Sequence, residues 1–217
     1  MAKFITKFDT TAELAAFSAT TDFGRPHVSL IKDDSKIHYF RYDPYNGHEY
    51  VDLALPSGTK WATMNVGASS ETDYGNYYEY GKGAAQYAAT SGDSNYSGTE
   101  DPLAASADTA VQMWGGQWHM PTRAQMEELT ANTTYEWTTI NGVNGGKFTA
   151  TNGNYVFFPA AGSWYGGSQD GVGSYGYYWG SSPSGSDYAY FLSFISGGKD
   201  VDSNYRKVGF SVRPVVG

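Results

Sequence analysis

The chain of 217 residues contains no cysteine. Disulfides, thiolate metal sites and every mechanism that needs a cysteine nucleophile are therefore excluded. Charged residues make up only 17% of the sequence and the net charge is −8, so the chain lacks the basic character of a nucleic-acid-binding domain. No stretch approaches the ~18 apolar residues that span a bilayer, and we expect no membrane insertion.

Tyrosine and glycine are abundant, with 19 and 27 copies. An aromatic content of 17% is too high for a disordered acidic chain, and the composition is not the Ala, Glu, Lys and Leu mixture of a coiled coil. Much tyrosine and glycine with little charge predicts a fold rich in strands and turns, with aromatic side chains at its surface. Such a surface is typical of binding loops.

The first 47 residues are predicted to form a small separate part of the chain. Residues 10–17 begin with the Thr-x-x-Glu spacing of a capping box, which predicts a short helix. Apolar alternation in 27–31 and 36–40, on either side of a polar turn, predicts a hairpin. One helix and one hairpin bury too little surface to fold alone. We therefore predict that residues 1–47 dock the chain onto a larger body or oligomerise it.

Residues 48–217 are predicted to form one domain with both helix and strand signals. Thr122 and, three residues later, Gln125 predict the start of a second helix, which ends near Asn132. Apolar runs between Gly, Ser, Asn and Asp predict strands at 50–55, around Trp61, and at 146–151, 155–159, 177–181, 189–194 and 209–215. The predicted class is α+β, with two short helices, small antiparallel sheets and long ordered loops.

Several motifs, in their order along the chain, indicate one family. They are YVDL at 50–53, PSGTKWATMNVGA at 56–68, DYG at 73–75, WGGQWHMPT at 114–122, FFPAAG at 157–162, YWGSS at 178–182 and GFSVRPV at 209–215. The set resembles the C-type-lectin-fold domains of gut Bacteroidetes and their phages. The same fold includes the formylglycine-generating enzyme, the Fibrobacter succinogenes major paralogous domain and the variable proteins of diversity-generating retroelements. The resemblance implies a C-type lectin fold, with Trp61, Trp118, Trp179 and Arg213 as its structural scaffold.

The sequence departs from this family at positions that bear on chemistry. Formylglycine-generating members use cysteines, which are absent here. Calcium-dependent lectins carry Glu-Pro-Asn or Gln-Pro-Asp together with Trp-Asn-Asp, and none of these tripeptides occurs. The four histidines have no metal-ligand spacing, and no nucleophile-elbow or phosphate-loop motif is present. We therefore expect no catalytic residues, no metal site and no cofactor.

The C-terminal region has the composition of a binding surface. Residues 163–205 contain ten Ser, nine Gly and seven Tyr, as antibody contact loops do. In retroelement-diversified proteins, template adenines convert Asn codons into codons for Tyr, Ser, Asp, Gly and Phe, and the resemblance implies such a variable region at about residues 163–208. The candidate ligand-binding residues are Tyr165, Tyr175, Tyr177, Ser184, Ser186, Asp187, Tyr188, Tyr190, Phe191, Ser193, Ser196, Asp200, Asp202, Ser203 and Tyr205.

The leading hypothesis is a non-enzymatic binding protein with a diversified surface, acting as a phage receptor-binding or tail-associated protein in the virion. Its partner would be a protein or glycan receptor on a bacterial cell, and assembly as a homo-oligomer would fit this role. The N-terminus lacks the apolar segment of a secretory signal, as this location requires. One alternative is a bacterial cell-surface adhesin or fimbrial-type module with fixed loops. Another is a divergent formylglycine-generating-type enzyme, which the absence of cysteine disfavours.

Overall fold

The structure is a computed structural model that describes residues 31–33, 36–38, 45–82 and 96–217. The chain divides into two compact units, Met1–Gly47 and His48–Gly217. No helix in these described parts is both long and apolar enough to cross a membrane. The candidate ligand-binding residues all lie in the second unit, so its architecture decides where they are placed.

The described part of the first unit is one hairpin. Strands β1 (Ile31–Asp33) and β2 (Lys36–His38) pair antiparallel, with Ile31 opposite His38. A hairpin thus lies where one was predicted, but β1 includes Lys32 and Asp33 of the predicted turn, and residues 27–30 and 39–40 of the predicted strands lie outside the described residues. The helix predicted at 10–17 lies outside the described residues. The docking or oligomerisation role of this unit stays a prediction.

The second unit consists of small antiparallel sheets and two short helices. Its elements are β3 (Tyr50–Asp52), β4 (Lys60–Ala62), α1 (Thr109–Met113), α2 (Arg123–Asn132), β5 (Thr133–Ile140), β6 (Val143–Ala150), β7 (Tyr155–Pro159), β8 (Ser163–Tyr165), β9 (Ser168–Asp170), β10 (Gly176–Ser184), β11 (Tyr188–Ile195), β12 (Gly198–Tyr205) and β13 (Val215–Val216). Three sheets have three strands each, in the orders β5–β6–β7, β10–β11–β12 and β13–β4–β3. Strands β8 and β9 form a separate hairpin.

The predicted α+β class with a C-type lectin fold is wrong. Strands make up 41% of the described residues and helices only 9%, so the fold is mostly β. One reason is the segment after Asn132, for which the sequence predicted no strand. Thr133–Ile140 is rich in threonine and aromatic residues, which favour extended backbone, and it pairs with β6 along its whole length. Strand β12 was likewise not predicted.

Helix α2 begins and ends where the sequence predicted. The side chain of Thr122 accepts the N–H of Gln125, and the side chain of Gln125 accepts the N–H of Thr122. This capping box satisfies two of the donors that a helix start leaves free. Met126 and Leu129 are buried against the sheets. After Asn132 the backbone is extended, because β5 begins at once.

An aromatic core joins α2 to the sheets β5–β6–β7 and β10–β11–β12. Phe158 contacts Tyr178 edge-to-face with ring centroids 5.0 Å apart, and it contacts Phe148 in the same way at 5.3 Å. Tyr178 stacks on Phe194 at 5.9 Å. Aromatic pairs in these geometries stabilise a core beyond their buried area. The core therefore fixes β10 and β11 rigidly at their centres.

The four residues named as scaffold are all buried: Trp61, Trp118, Trp179 and Arg213. Arg213 donates from Nε to Oδ1 of Asn65 at 2.7 Å and from Nη1 to the carbonyls of Ala62 and Thr63 at 3.0 Å each. Burial lowers the pKa of Arg213 to about 10. The guanidinium thus ties the C-terminal segment to the end of β4.

The sheet β10–β11–β12 has two distinct faces. Its helix face carries Leu192, which belongs to the same core cluster as Met126 of α2. Its outer face carries Phe191, whose ring centroid lies 5.0 Å from that of Phe210. Side chains of consecutive strand residues point to opposite faces, and here both faces are covered. This is why Phe191 and Leu192 are both buried.

Phe191 and Leu192 are adjacent apolar residues, and such a break in the alternation of a strand is a pattern that a bulge or a loop produces. The structure shows neither, since β11 pairs with β12 without interruption from Tyr188 to Ile195. A register shift lies instead in β10, between Trp179 and Pro183. The adjacent apolar residues in β11 therefore reflect a sheet that is buried on both faces at this point. In the sequence, a strand buried on both faces and a bulge produce the same break in alternation.

Candidate functional site

The fifteen candidate ligand-binding residues do not form one surface. Directly opposite residues of antiparallel strands share a face, so the strand register assigns each paired residue. The helix face carries Ser184, Tyr188, Tyr190, Ser203 and Tyr205, and the outer face carries Tyr177, Phe191, Ser193, Asp200 and Asp202. The other five lie outside this register: Tyr165 in β8, Tyr175 before β10, Ser186 and Asp187 between β10 and β11, and Ser196 between β11 and β12.

We call the helix-face group the tyrosine surface: Ser184, Tyr188, Tyr190, Ser203 and Tyr205. These residues occupy two adjoining rows across the sheet, because Tyr188 lies opposite both Ser184 and Tyr205 and Tyr190 lies opposite Ser203. The next row along β11 is Leu192, which belongs to the buried core. The tyrosine surface therefore begins where the hydrophobic core ends.

Tyr188 and Tyr205 form an aromatic pair in this surface. Their ring centroids are 4.3 Å apart with an interplanar angle of 34°, and Tyr205 is 48% exposed. A hydrogen bond between the two hydroxyls raises the pKa of Tyr188. The pair offers apolar rings together with polar hydroxyl groups.

Lys207 connects Tyr165 to the tyrosine surface. Its Nζ lies 5.6 Å from the ring centroid of Tyr205 and 5.8 Å from that of Tyr165. A lysine ammonium at these distances is attracted to the faces of both rings. Tyr165 is 50% exposed and comes from the separate β8–β9 hairpin. Sequence reasoning missed Lys207, although a cation two residues after Tyr205 in a region poor in cations was a usable signal.

Tyr190 lies at the border between the tyrosine surface and α2. Arg123, the first residue of α2, donates from Nη1 to the Tyr190 hydroxyl at 2.9 Å. Its guanidinium also lies 4.3 Å from the Tyr190 ring centroid. Arg123 is held in turn by Glu127 through an Nε–Oε1 contact of 2.6 Å, and this bond raises the pKa of Arg123. Tyr190 is therefore half-buried and fixed by the helix.

Arg206 fixes the backbone behind the tyrosine surface. It is buried, and its guanidinium donates to four backbone carbonyls. Nε donates to Tyr188 at 3.1 Å, Nη1 to Tyr96 at 3.1 Å and to Gly98 at 2.8 Å, and Nη2 to Gly185 at 2.6 Å. One side chain thus holds both the β10–β11 turn and the start of β11. Sequence reasoning missed Arg206 as well.

The outer-face group includes aromatic rings that neighbouring side chains cover. Tyr175 is 42% exposed and stacks on Tyr177 at 5.7 Å with an angle of 15°. Burial raises the pKa of Tyr177. Phe191, one of the candidate ligand-binding residues, lies on this face but is only 5% exposed, so it is not available to a ligand. Phe210 covers it from one side and Tyr177 lies against its edge at 5.7 Å.

The carboxylates of the outer-face group bind their own strand. Oδ1 of Asp200 accepts the N–H of Val201 at 2.8 Å, and Oδ1 of Asp202 accepts the N–H of Ser203 at 2.7 Å. Within the described residues, no group of three or more His, Asp or Glu side chains is arranged to hold a metal ion. The contacts described on the two faces are hydrogen bonds, aromatic contacts and cation–π contacts.

Comparison with known proteins gives a match to part of the chain. Residues 132–215 match a family described as a domain of unknown function, DUF8237. This range contains β5 to β12 and all fifteen candidate residues, so the tyrosine surface lies within the matched segment. No curated protein and no solved structure matches the chain. None of these findings links the chain to C-type-lectin-fold retroelement proteins.

Proposed function

We propose that the chain is a non-enzymatic binding protein that presents the tyrosine surface to a receptor on a bacterial cell. The pair of Tyr188 and the half-exposed Tyr205 carries the proposal. Tyrosine gives a large amphipathic contact area and freezes only two side-chain torsions on binding, while small residues adapt their hydrogen bonds to the partner. Ser184 and Ser203 lie in the same two rows and supply such small contacts.

The surroundings of the surface support this role, because they hold it in place before any partner arrives. Arg206 fixes the backbone of Tyr188 and of the preceding turn, and Arg123 fixes the ring of Tyr190. A surface that is already ordered loses less conformational entropy on binding, which raises its affinity. Several copies on one particle would add avidity to a modest affinity of each copy.

Diversification by a retroelement and a place in a phage tail are the finer parts of the proposal. They rest on the resemblance of the sequence motifs to retroelement variable proteins and on the Tyr, Ser and Gly composition of residues 163–205. The DNA beside the gene tests them. We expect a reverse transcriptase gene and a near-copy of the 3′ end that differs only opposite adenines. The absence of such a copy, or mismatches at all four bases, would contradict diversification and leave an adhesin with fixed loops.

Binding to whole bacterial cells tests the function itself. Fluorescently labelled protein is titrated onto a panel of gut Bacteroidetes cells, and bound label is measured by flow cytometry. We expect Tyr188→Ala with Tyr205→Ala to weaken binding about tenfold or more, as the loss of a central aromatic contact does. Tyr155→Ala is the matched control, because Tyr155 is 39% exposed but lies on β7 in another sheet.

Two outcomes of this titration would contradict the proposal. Equal losses in Tyr155→Ala and in the double variant would mean that the tyrosine surface has no special part in binding. If the unmodified chain bound no cell in the panel, a receptor on these bacteria would be excluded. Circular dichroism of each variant shows that the fold is retained, so a loss of binding reports on the surface.

A further inference from the structure

Strand β12 is the last strand of its sheet in the described chain, where it pairs only with β11. An edge strand presents every second N–H and C=O away from its neighbour, and such a row can pair with a strand of another molecule. The N–H of Arg206 donates to the carbonyl of Asp187 on the β11 side at 2.9 Å. Because backbone N–H groups alternate in direction along a strand, those of residues 204, 202 and 200 also point towards β11. The N–H groups of Val201, Ser203 and Tyr205 therefore point to the free edge.

All three of these edge N–H groups are already bonded, each to the side chain that precedes it. Val201 donates to Asp200 at 2.8 Å, and Ser203 donates to Asp202 at 2.7 Å. The third bond runs from the N–H of Tyr205 to Oδ1 of Asn204 at 2.7 Å. Along this strand, every second side chain thus accepts a hydrogen bond from the outward N–H of the following residue.

The outward carbonyl at the end of β12 is also engaged. The N–H of Val208 donates to the carbonyl of Tyr205 at 3.1 Å, where the chain turns after the strand. A strand that approached this edge would have to break the three side-chain bonds before it could accept from the same N–H groups. It would also bring its own carbonyls close to the two exposed carboxylates of Asp200 and Asp202. Both effects oppose strand addition.

We propose that Asp200, Asp202 and Asn204 close the edge of β12 against pairing with a second copy of the chain. Another copy is the occupant to exclude, because it carries the same edge, and two identical edges can pair antiparallel about a twofold axis. Tyr205 is the last residue of β12, so a closed edge also keeps the tyrosine surface accessible. The inference concerns self-association and is independent of the proposed function.

Two variants of equal charge separate capping from charge repulsion. Asp200→Ala with Asp202→Ala and Asn204→Ala removes all three acceptors. Asp200→Asn with Asp202→Asn removes the same two negative charges but keeps an amide oxygen at each position, as Asn204 has naturally. Sedimentation velocity over a range of concentrations measures self-association, and amide hydrogen exchange at low concentration reports on Val201, Ser203 and Tyr205.

We expect the alanine variant to self-associate with an affinity about tenfold or more above that of the unmodified chain, and the asparagine variant to behave as the unmodified chain does. At low concentration, the three amides should exchange about tenfold faster in the alanine variant alone. Asp202→Ala is the milder second variant and should speed exchange at Ser203 only. Three results would overturn the proposal: unchanged association in the alanine variant, equal association in the asparagine variant, or pairing through β12 in the unmodified chain.

Discussion

Tyr188 and Tyr205 lie side by side on adjoining strands, and the residue after Tyr205 holds the backbone of Tyr188. The two ring centroids are 4.3 Å apart, and the buried Arg206 donates to the Tyr188 carbonyl at 3.1 Å. The aromatic pair, in which Tyr205 is exposed, thus lies on a backbone that the buried Arg206 holds in place. This combination of an adaptable contact surface and a rigid support is what a binding protein needs.

Phe191 in β11 and Tyr205 in β12 lie on opposite faces of the sheet, and removing their rings should lower stability to different extents. Phe191→Ala removes a buried ring between Phe210 and Tyr177 and should lower the free energy of unfolding by about 3–5 kcal/mol. Tyr205→Ala, at a position that is 48% exposed, should lower it by about 1 kcal/mol or less. Urea denaturation measures both. Similar losses in the two variants would show that Tyr205 belongs to the core and is not displayed.

Arg206→Met should destabilise the domain by about 3 kcal/mol or more, because four backbone carbonyls lose their donor in a buried site. Arg206→Lys should restore little, since an ammonium cannot reproduce the planar guanidinium fork. Lys207→Met is the neighbouring control and should cost about 1 kcal/mol or less. Thermal unfolding compares the three variants. An Arg206→Met variant as stable as the parent would mean that the carbonyl contacts contribute nothing.

Position 176 requires glycine because a Cβ would have no room there, and not because of its backbone conformation. A Cβ there would lie 1.9 Å from Cζ of Phe194, which is itself packed in the core. Gly176→Ala should therefore cost about 1–3 kcal/mol through overpacking. Gly197→Ala is the control, because its Cβ would meet nothing closer than Cδ1 of Ile195 at 3.8 Å, and it should change stability by about 0.5 kcal/mol or less. Equal effects on the unfolding midpoint would contradict the packing of β10 against β11.

Stability should fall at alkaline pH in a way that depends on Tyr135. Burial raises the pKa of Tyr135 to about 12, above its ordinary value of about 10. Between these pH values the Tyr135 hydroxyl keeps its proton in the folded chain and loses it in the unfolded chain. The contribution of Tyr135 to stability is therefore constant below pH about 10 and falls as pH rises towards about 12.

Tyr135→Phe should make this alkaline fall shallower. At neutral pH the same variant loses a 2.6 Å hydrogen bond to the Ile195 carbonyl, which should cost about 1 kcal/mol. Urea denaturation at several pH values gives both quantities. If the slope above pH about 10 were the same with and without Tyr135, its ionisation would not be linked to folding.

Local signals in the sequence were sufficient for part of the fold. Helix α2 was predicted correctly because the capping box of Thr122 and Gln125 acts within one turn. Strand β7 was predicted with its observed bounds, since Tyr155–Pro159 is a compact apolar run between polar turns. Such elements carry their own boundaries, so no knowledge of their partners was needed.

The elements that depend on distant partners were not predictable in this way. Strand β12 contains Asp200, Asp202 and Asn204, residue types that are depleted in strands, and it forms because β11 pairs with it and these side chains bond the outer N–H groups. The composition of 163–205 located the region of the candidate site. This composition did not show which residues share a face of the sheet. The register shift in β10 arises from its pairing with β11 and cannot be read from the local sequence pattern.

The most direct test of the account compares the two faces of one sheet in the cell-binding titration. The helix-face variant carries Tyr188→Ala and Tyr205→Ala. The outer-face variant carries Ser193→Ala, which lies on the outer face, and Tyr175→Ala, which precedes β10 and stacks on the outer-face residue Tyr177. The account predicts that the first weakens binding about tenfold or more and that the second changes it about twofold or less. Equal losses, or a larger loss in the outer-face variant, would contradict the assignment of binding to the tyrosine surface.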